Sequence, residues 1–302
     1  MADPQSPADL EAIVAGWIDA AGDALFSDPE GVCWVSADIM MLMRSARVHH
    51  SRADAFADAF LHAVLRRAGE RATVLVSAFH FQFPQTGIFD VATSTVQTGA
   101  FGALLAARYP RRRLVHPFYS MLAFGARADA FLAHRFEHST GAGSVFEWLI
   151  DNRTTLVTIG HHYVKALTSV HHAEEVVGVA YRYRKAFTGT VVDADGNRAD
   201  GTWTFFVRDL EACEHSAITR AGDAVLRAEG LLTVATFGDP ARPLGLYRLD
   251  LGAANERFVA DLKSPEPRMI GYFGQHHADP EVITWEMANR DYIEELKRLR
   301  DI

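Results

Sequence analysis

Three apolar runs, at residues 32–35, 73–79 and 154–159, follow stretches whose apolar side chains recur at helical spacing. Short apolar runs bounded by turn residues read as buried strands, and the 3.6-residue period between them reads as helix. Strands alternating with amphipathic helices fold as an α/β sheet with helices on both faces. The predicted helices cover residues 8–25, 52–68, 96–108 and 144–152. The first carries Leu10, Ile13, Val14, Trp17 and Ile18 on one side, and the second carries Phe56, Phe60, Leu61, Val64 and Leu65. A break at Pro29 to Gly31 separates the first helix from the first strand. Residues 120–124 form a further short apolar segment.

Beyond residue 176 the texture changes. Residues 176–192 and 202–207 are rich in Val, Tyr and Thr and flank Asp193-Ala-Asp-Gly196, which predicts a hairpin. A helix over 215–229, short strands over 231–236 and 245–250, and a last helix from about 280 complete the chain. No repeat, low-complexity linker or long charge run divides it. The expectation is a single catalytic domain over residues 1–302, with 176–302 as a C-terminal elaboration.

Several classes are disfavoured. No run of about 18 apolar residues is present to span a membrane, and the N-terminus has neither the basic nor the apolar segment of a secretory signal. Cys33 and Cys213 are too few for a disulfide scaffold and lack zinc spacing. The expected setting is cytoplasmic. A net charge of −8 argues against non-specific nucleic-acid binding. The sequence leaves the oligomeric state open, a homodimer included.

Chemistry concentrates between Gly160 and Glu175, where His161, His162, His171, His172, Glu174 and Glu175 occur. If this segment is helical, Thr168, His171 and Glu174 fall at i, i+3 and i+6 and share one side. A histidine oriented by a carboxylate beside a hydroxyl is suited to general base catalysis. The same residues also fit a hydrogen-bonded histidine in an ordinary helix. A metal site is a third reading, although adjacent helix positions point about 100° apart and no zincin motif is present.

Three further stretches carry candidate residues. Ser144-x-x-Glu147 fits a capping box after Gly141 and Gly143, a place that either caps a helix or meets phosphate. Arg111-Arg-Arg113 precedes Leu-Val-His116-Pro-Phe-Tyr-Ser120, and arginines before an extended segment meet phosphates or form a solvated loop. Tyr181-Arg-Tyr-Arg-Lys185 suits an exposed strand face or an anionic ligand.

Taken together, Val115-His116-Pro117 through Ser120 and Gly125, then Gly143-Ser144, then Thr168-x-x-His171-x-Ala173-Glu174 resemble the aminoglycoside 3-N-acetyltransferase family. Val35-Ser36-Ala37, Phe83-Pro84 through Gly87, and Gly99-Ala-Phe101 extend the resemblance, which covers roughly residues 8–260. It implies an α/β fold, an αβα sandwich around a mixed sheet, here with an added β-hairpin and helices in the C-terminal half. It implies acetyl-CoA as acyl donor, a primary amine as acceptor, and no metal. His171 is then the base, Glu174 orients it and Thr168 supplies the hydroxyl. Ser36, Ala37, Ser120 and Ser144, with His116 and Arg113, fall where the coenzyme is expected, so most of its site lies before about residue 175. Phe81, Phe83, Tyr163, His172 and Arg182 are the expected acceptor contacts.

Aminoglycosides are polycations, and a site for them calls for carboxylates. Between residues 78 and 100 the only acid is Asp90, while Arg182, Arg184 and Lys185 follow the catalytic block. The expected acceptor is an amino sugar or another biosynthetic amine carrying a phosphate or carboxylate, such as a nucleotide-linked amino sugar. The alternative within the family is an aminoglycoside and a resistance role. Outside it, the alternatives are a metal-dependent hydrolase and a non-catalytic CoA- or sugar-binding protein.

Overall fold

The computed structural model describes residues 6–22 and 31–300. In chain order the elements are α1 (Pro7–Ala21), β1 (Val32–Ala37), α2 (Ile39–Ala46), α3 (Ala53–Ala68), β2 (Thr73–Ser77), α4 (Phe83–Thr86), β3 (Ile88–Asp90) and α5 (Ala100–Arg108). Then follow β4 (Met121–Gly125), α6 (Ala128–Leu132), α7 (Val145–Asp151), β5 (Thr155–Ile159), α8 (Val170–Val177), β6 (Arg182–Val192) and β7 (Arg198–Arg208). The chain continues with β8 (His215–Ile218), α9 (Arg220–Ala228), β9 (Leu232–Phe237), β10 (Leu244–Asp250), α10 (Leu251–Leu262), β11 (Ile270–Phe273) and α11 (Trp285–Arg300).

The central sheet has six strands in the order β4-β2-β1-β5-β10-β9. β1 runs parallel to β2 and β5, whereas β4 and β10 are antiparallel to their neighbours, so the sheet is mixed. Side chains alternate across it with the two-residue period of a strand. Trp34, Leu75 and Leu156 enter one core with α7, α8 and α10; Cys33, Val35, Val74, Val76 and Val157 enter a second core with α1, α2 and α3. Both faces are covered, which is why these strands read as continuous apolar runs. The fold is the predicted αβα sandwich.

The hairpin is present, its first arm shorter and its second arm longer than the sequence pattern suggested. β6 and β7 pair over all eleven residues of each, with Val192 opposite Arg198 at the turn and Arg182 opposite Arg208 at the far end. β3 joins β6 on its other edge, and β8 pairs with β11 separately. Among the described residues no helix is long and apolar enough to cross a membrane.

The differences from expectation have local causes. The first helix ends at Ala21, with Gly22 at φ +50° behind it; residues 23–25 of the predicted helix, and Pro29 and Glu30 of the predicted break, lie outside the described residues. α5 starts at Ala100 rather than 96, because Gly99 at φ +104° marks the entry into the helix. Residues 176 and 177 close α8 before the αL residue Gly178, so the strand begins only at Arg182. Residues 215–218 are strand β8 and not the start of a helix. The helix waits for the Thr219 hydroxyl to cap it, accepting from Gly222 N. α2, α10, β3 and β11 were not anticipated.

Candidate active site

β1 leads to β2 on one side, and β5 later inserts on the other side of β1, parallel to it. Loops leaving neighbouring parallel strands in opposite directions open a crevice at their C-terminal ends. Here those loops begin at Asp38 and Gly160. Gly160, at φ +82°, lets the two loops nearly touch: a Cβ on it would lie 3.2 Å from the Asp38 Cβ. Across the gap, Ser36 Oγ bonds His161 Nε2 at 3.1 Å. A cavity of about 780 Å³ lies over this point, within the size range of small-molecule sites. Its wall combines the ends of β1 and β2, the start of α5, the segment from His161 to His171, and six residues from beyond position 175.

His171 and Glu174 sit three residues apart on one side of α8. His171 Nδ1 and Glu174 Oε2 are 2.7 Å apart. Glu174 is fully buried, which requires its charge to be matched. Tyr181 donates its hydroxyl to Oε1 at 2.9 Å, and Arg182 Nε forms an ion pair with Oε2 at 2.8 Å. The remaining Arg182 nitrogens donate to Phe206 O at 3.2 Å and Ser216 Oγ at 2.8 Å. Burial alone would raise the Glu174 pKa, but His171 and Arg182 outweigh it and hold the carboxyl below the usual range. An ionised carboxylate only accepts hydrogen bonds, so the proton between the two is on His171 Nδ1. Burial, reinforced by the Arg182 charge, pushes the His171 pKa below the ordinary histidine value despite Glu174. The imidazole is therefore neutral at pH 7, with an unprotonated Nε2. Nε2 has no hydrogen-bond partner among the described residues, and 21% of the side chain remains accessible.

Thr168 lines the same cavity but is not on the helix with them. α8 begins at Val170 with Ser169 as N-cap, and Thr168 occupies the preceding turn, its amide bonded to Ala166 O at 2.8 Å and its carbonyl to His171 N at 3.1 Å. Among the described residues its hydroxyl makes no hydrogen bond to His171.

The structure also brings Ser36, Ala37, Phe81 and Arg182 to the cavity. The other sequence candidates lie elsewhere. Arg113 is buried and donates to Val91 O, Ser94 O, Ala78 O and Ser120 Oγ, tying two loops together. Its neighbours are also spent, Arg111 on Asp195 and Arg112 on Asp129. His116 is fully buried, its Nδ1 accepting from Phe118 N and Tyr119 N; Ser120 Oγ donates to Leu114 O. Ser144 caps α7, accepting from Glu147 N at 3.1 Å. Phe83 packs against Phe118 and Trp203 in the core. Tyr163 is buried with its hydroxyl on Asp223, and His172 is buried and absent from the cavity wall.

The buried histidines predict an acid limit on stability. Burial lowers His116 to about 3 and His162 to about 4. A group whose folded pKa lies below its unfolded value of about 6.5 gives stability that is full above that value and declines as pH falls through the folded pKa. Each should cost on the order of 1.4 kcal/mol per pH unit inside its window. The thermal midpoint is expected to fall from about pH 6.5 downward, and His162→Gln should flatten that slope. A midpoint constant from pH 6.5 to 4.5 would contradict this.

Sequence reasoning missed Lys165, Arg208, His215, Ser216 and Trp285 on the cavity wall, and it singled out Tyr181 without its role behind Glu174. One signal was available for Arg208. Counting outward from the predicted hairpin turn at Asp193–Gly196 places it near Arg182 across the strands. The charges on the wall are Lys165, Arg182 and Arg208 against Asp38. Arg184 pairs with Glu175 instead, and Lys185 lies over Phe187. Among the described residues Arg208 has no carboxylate within salt-bridge distance. α5 starts on this wall at Gly99 with no capping side chain, leaving amides available to an anion. Among the described residues no three His, Cys, Asp or Glu side chains converge as a metal ligand set.

The sequence model of the family described as aminoglycoside 3-N-acetyltransferase matches residues 48–242. None of the curated proteins is similar enough in sequence to match the chain. Among solved structures, aminoglycoside acetyltransferase AAC(3)-Xa superimposes with a TM-score of 0.63 at 18% identity, covering 87% of this chain and 98% of that one. AAC(3)-IIb gives 0.63 at 17% identity, with 85% and 97% covered. AAC-IIIb, solved as a binary complex with CoASH, gives 0.61 at 20% identity, with 91% and 99% covered.

Proposed function

Because the chain belongs to the aminoglycoside 3-N-acetyltransferase family, and is thereby a CoA-dependent acetyltransferase, we propose that it acylates a primary amine by direct transfer with His171 as general base. The observation that carries this reading is the 2.7 Å contact between His171 Nδ1 and the buried Glu174 carboxylate, which leaves Nε2 unprotonated on a large cavity. Acetyl-CoA supplies the thioester carbonyl and the thiol leaving group. His171 Nε2 takes the proton of the acceptor amine as nitrogen bonds to that carbon. Glu174 keeps the tautomer fixed and stabilises the imidazolium that forms. The Thr168 hydroxyl, free of other partners among the described residues, is available to the charge that develops on the carbonyl oxygen. Ser36, Ala37 and the amides at the uncapped start of α5 are the groups that would hold the coenzyme. Burial raises the thiols of Cys33 and Cys213, which supports direct transfer over a cysteine-linked route. In this reading residues 1–302 act as one catalytic domain, since the cavity draws on residues from Trp34 to Trp285.

The acceptor is an amino sugar or related amine bearing a phosphate or carboxylate. Support comes from the wall charges: Arg182 is neutralised by Glu174, which leaves Lys165 and Arg208 facing a single acid. That acid, Asp38, also caps α2, its Oδ1 accepting from Met41 N at 3.0 Å. A polycation would be poorly matched there. The family's own description favours the second reading, an aminoglycoside acceptor and a resistance role. Thiol release from acetyl-CoA, measured with aminoglycosides, nucleotide-linked amino sugars and uncharged amino sugars, separates the two. Turnover is expected with the anionic amines, and turnover restricted to aminoglycosides would establish the second reading.

A further inference from the structure

A second cavity, of about 130 Å³, adjoins the first. The two share Lys165, Thr168, His171, His215, Ser216 and Trp285, so they meet at His171 itself. The residues that belong to the smaller cavity alone are Val164, Leu167, Val170, Ala217 and Ile218, every one aliphatic and buried. They come from the turn before α8 and its first residue on one side, and from β8 on the other. An acetyl group carries one methyl beyond its carbonyl and has no use for this space. The volume corresponds to roughly four water molecules' share of liquid, enough for the three-carbon tail of a butyryl group.

We propose that this side cavity receives the acyl chain of the donor, and that the enzyme transfers short linear acyl groups longer than acetyl. The proposal rests on the CoA-dependent transfer argued above. The chemistry balances for any such chain. The amine nitrogen bonds to the acyl carbon, the carbon–sulfur bond breaks, the amine proton goes to His171, and coenzyme A departs as the thiol. Thr168, His215 and Ser216, at the junction, suit the carbonyl. The aliphatic end suits hydrocarbon and disfavours a chain ending in a carboxylate, which would lose its hydration without a partner.

Isothermal titration calorimetry with CoA, acetyl-CoA and butyryl-CoA tests this without an acceptor. Butyryl-CoA is expected to bind about tenfold more tightly than acetyl-CoA, the effect of two methylenes leaving water. Ala217→Leu, which fills the side cavity, should bring that ratio to about one or below, with circular dichroism checking that it folds. Equal or weaker binding of butyryl-CoA by the unaltered protein overturns the proposal, and this ratio decides even if the variant does not fold. A preference that survives in Ala217→Leu overturns it too, because the chain then lies elsewhere. If CoA itself does not bind, the acyltransfer reading fails first, and that failure is distinguishable because all three titrations are then flat.

Discussion

Replacing His171 by alanine is expected to lower kcat by about 10²–10⁴-fold, the usual contribution of a positioned general base. The expectation follows from the proton inventory around α8. Glu174 is ionised and buried, so Nδ1 carries the hydrogen and Nε2 the free lone pair. Among the described residues no other base combines exposure to the cavity with such an anchor. His161 lines the cavity too, but both its nitrogens are engaged, with Ser36 Oγ at 3.1 Å and His162 O at 3.0 Å. The comparison is made with whichever amine turns over fastest, following thiol release, while calorimetry measures CoA affinity. Affinity for CoA should change little. The pH profile supplies a second reading: because the His171 pKa lies below the ordinary value, kcat/KM should hold through neutrality and fall only at more acid pH. The variant should lose that limb. Turnover within tenfold of the unaltered enzyme, in a folded variant, would remove His171 from the role.

The legible parts of this chain were those fixed by local pattern. The strands of the sheet announced themselves because both of their faces are buried, and the hairpin because its turn is made of Asp and Gly. His171 and Glu174 were legible because three residues on a helix bring side chains together. Thr168 was assigned to the same helix by extending that spacing one turn too far; only the chain's path through the 163–166 turn decides where the helix starts. His116, Ser120 and Arg113 looked like ligand contacts because polar residues in a loop between apolar segments have no obvious partner in sequence. Arg113 bonds to distant carbonyls of residues 78, 91 and 94 and to Ser120 Oγ, while His116 and Ser120 turn back on backbone atoms of their own loop, and no spacing reveals either. The same holds for Arg208, His215 and Trp285, which reach the cavity by pairing of β7, β8 and α11 with distant segments. Side chains recruited across a fold leave their trace in register. The Arg182–Arg208 pair is the one such case that a turn position could have given.

Glu174→Ala should be the most damaging single change to the fold among the site residues. It removes the carboxylate that matches Arg182, whose side chain is only 6% exposed. A buried cation left without its partner typically costs about 3–5 kcal/mol. Tyr181 loses its acceptor as well. Activity falls with stability, so the two must be separated. Glu174→Gln keeps the shape: its carbonyl oxygen in the place of Oε2 can accept from both His171 and Arg182, while its amide turns to the Tyr181 oxygen. The negative charge that stabilises the imidazolium is lost, so kcat should drop even where the protein stays folded. The stability argument has its own control. In Glu174→Ala with Arg182→Met the unmatched charge is gone, and urea unfolding should recover much of the loss, because replacing a buried ion pair with packed apolar groups is often near neutral. Turnover should not recover with it, since His171 remains unanchored. A single variant that loses under about 1 kcal/mol, or a double variant no more stable than the single, would mean that Glu174 does not hold the Arg182 charge in place. The buried carboxylate would then serve the histidine alone.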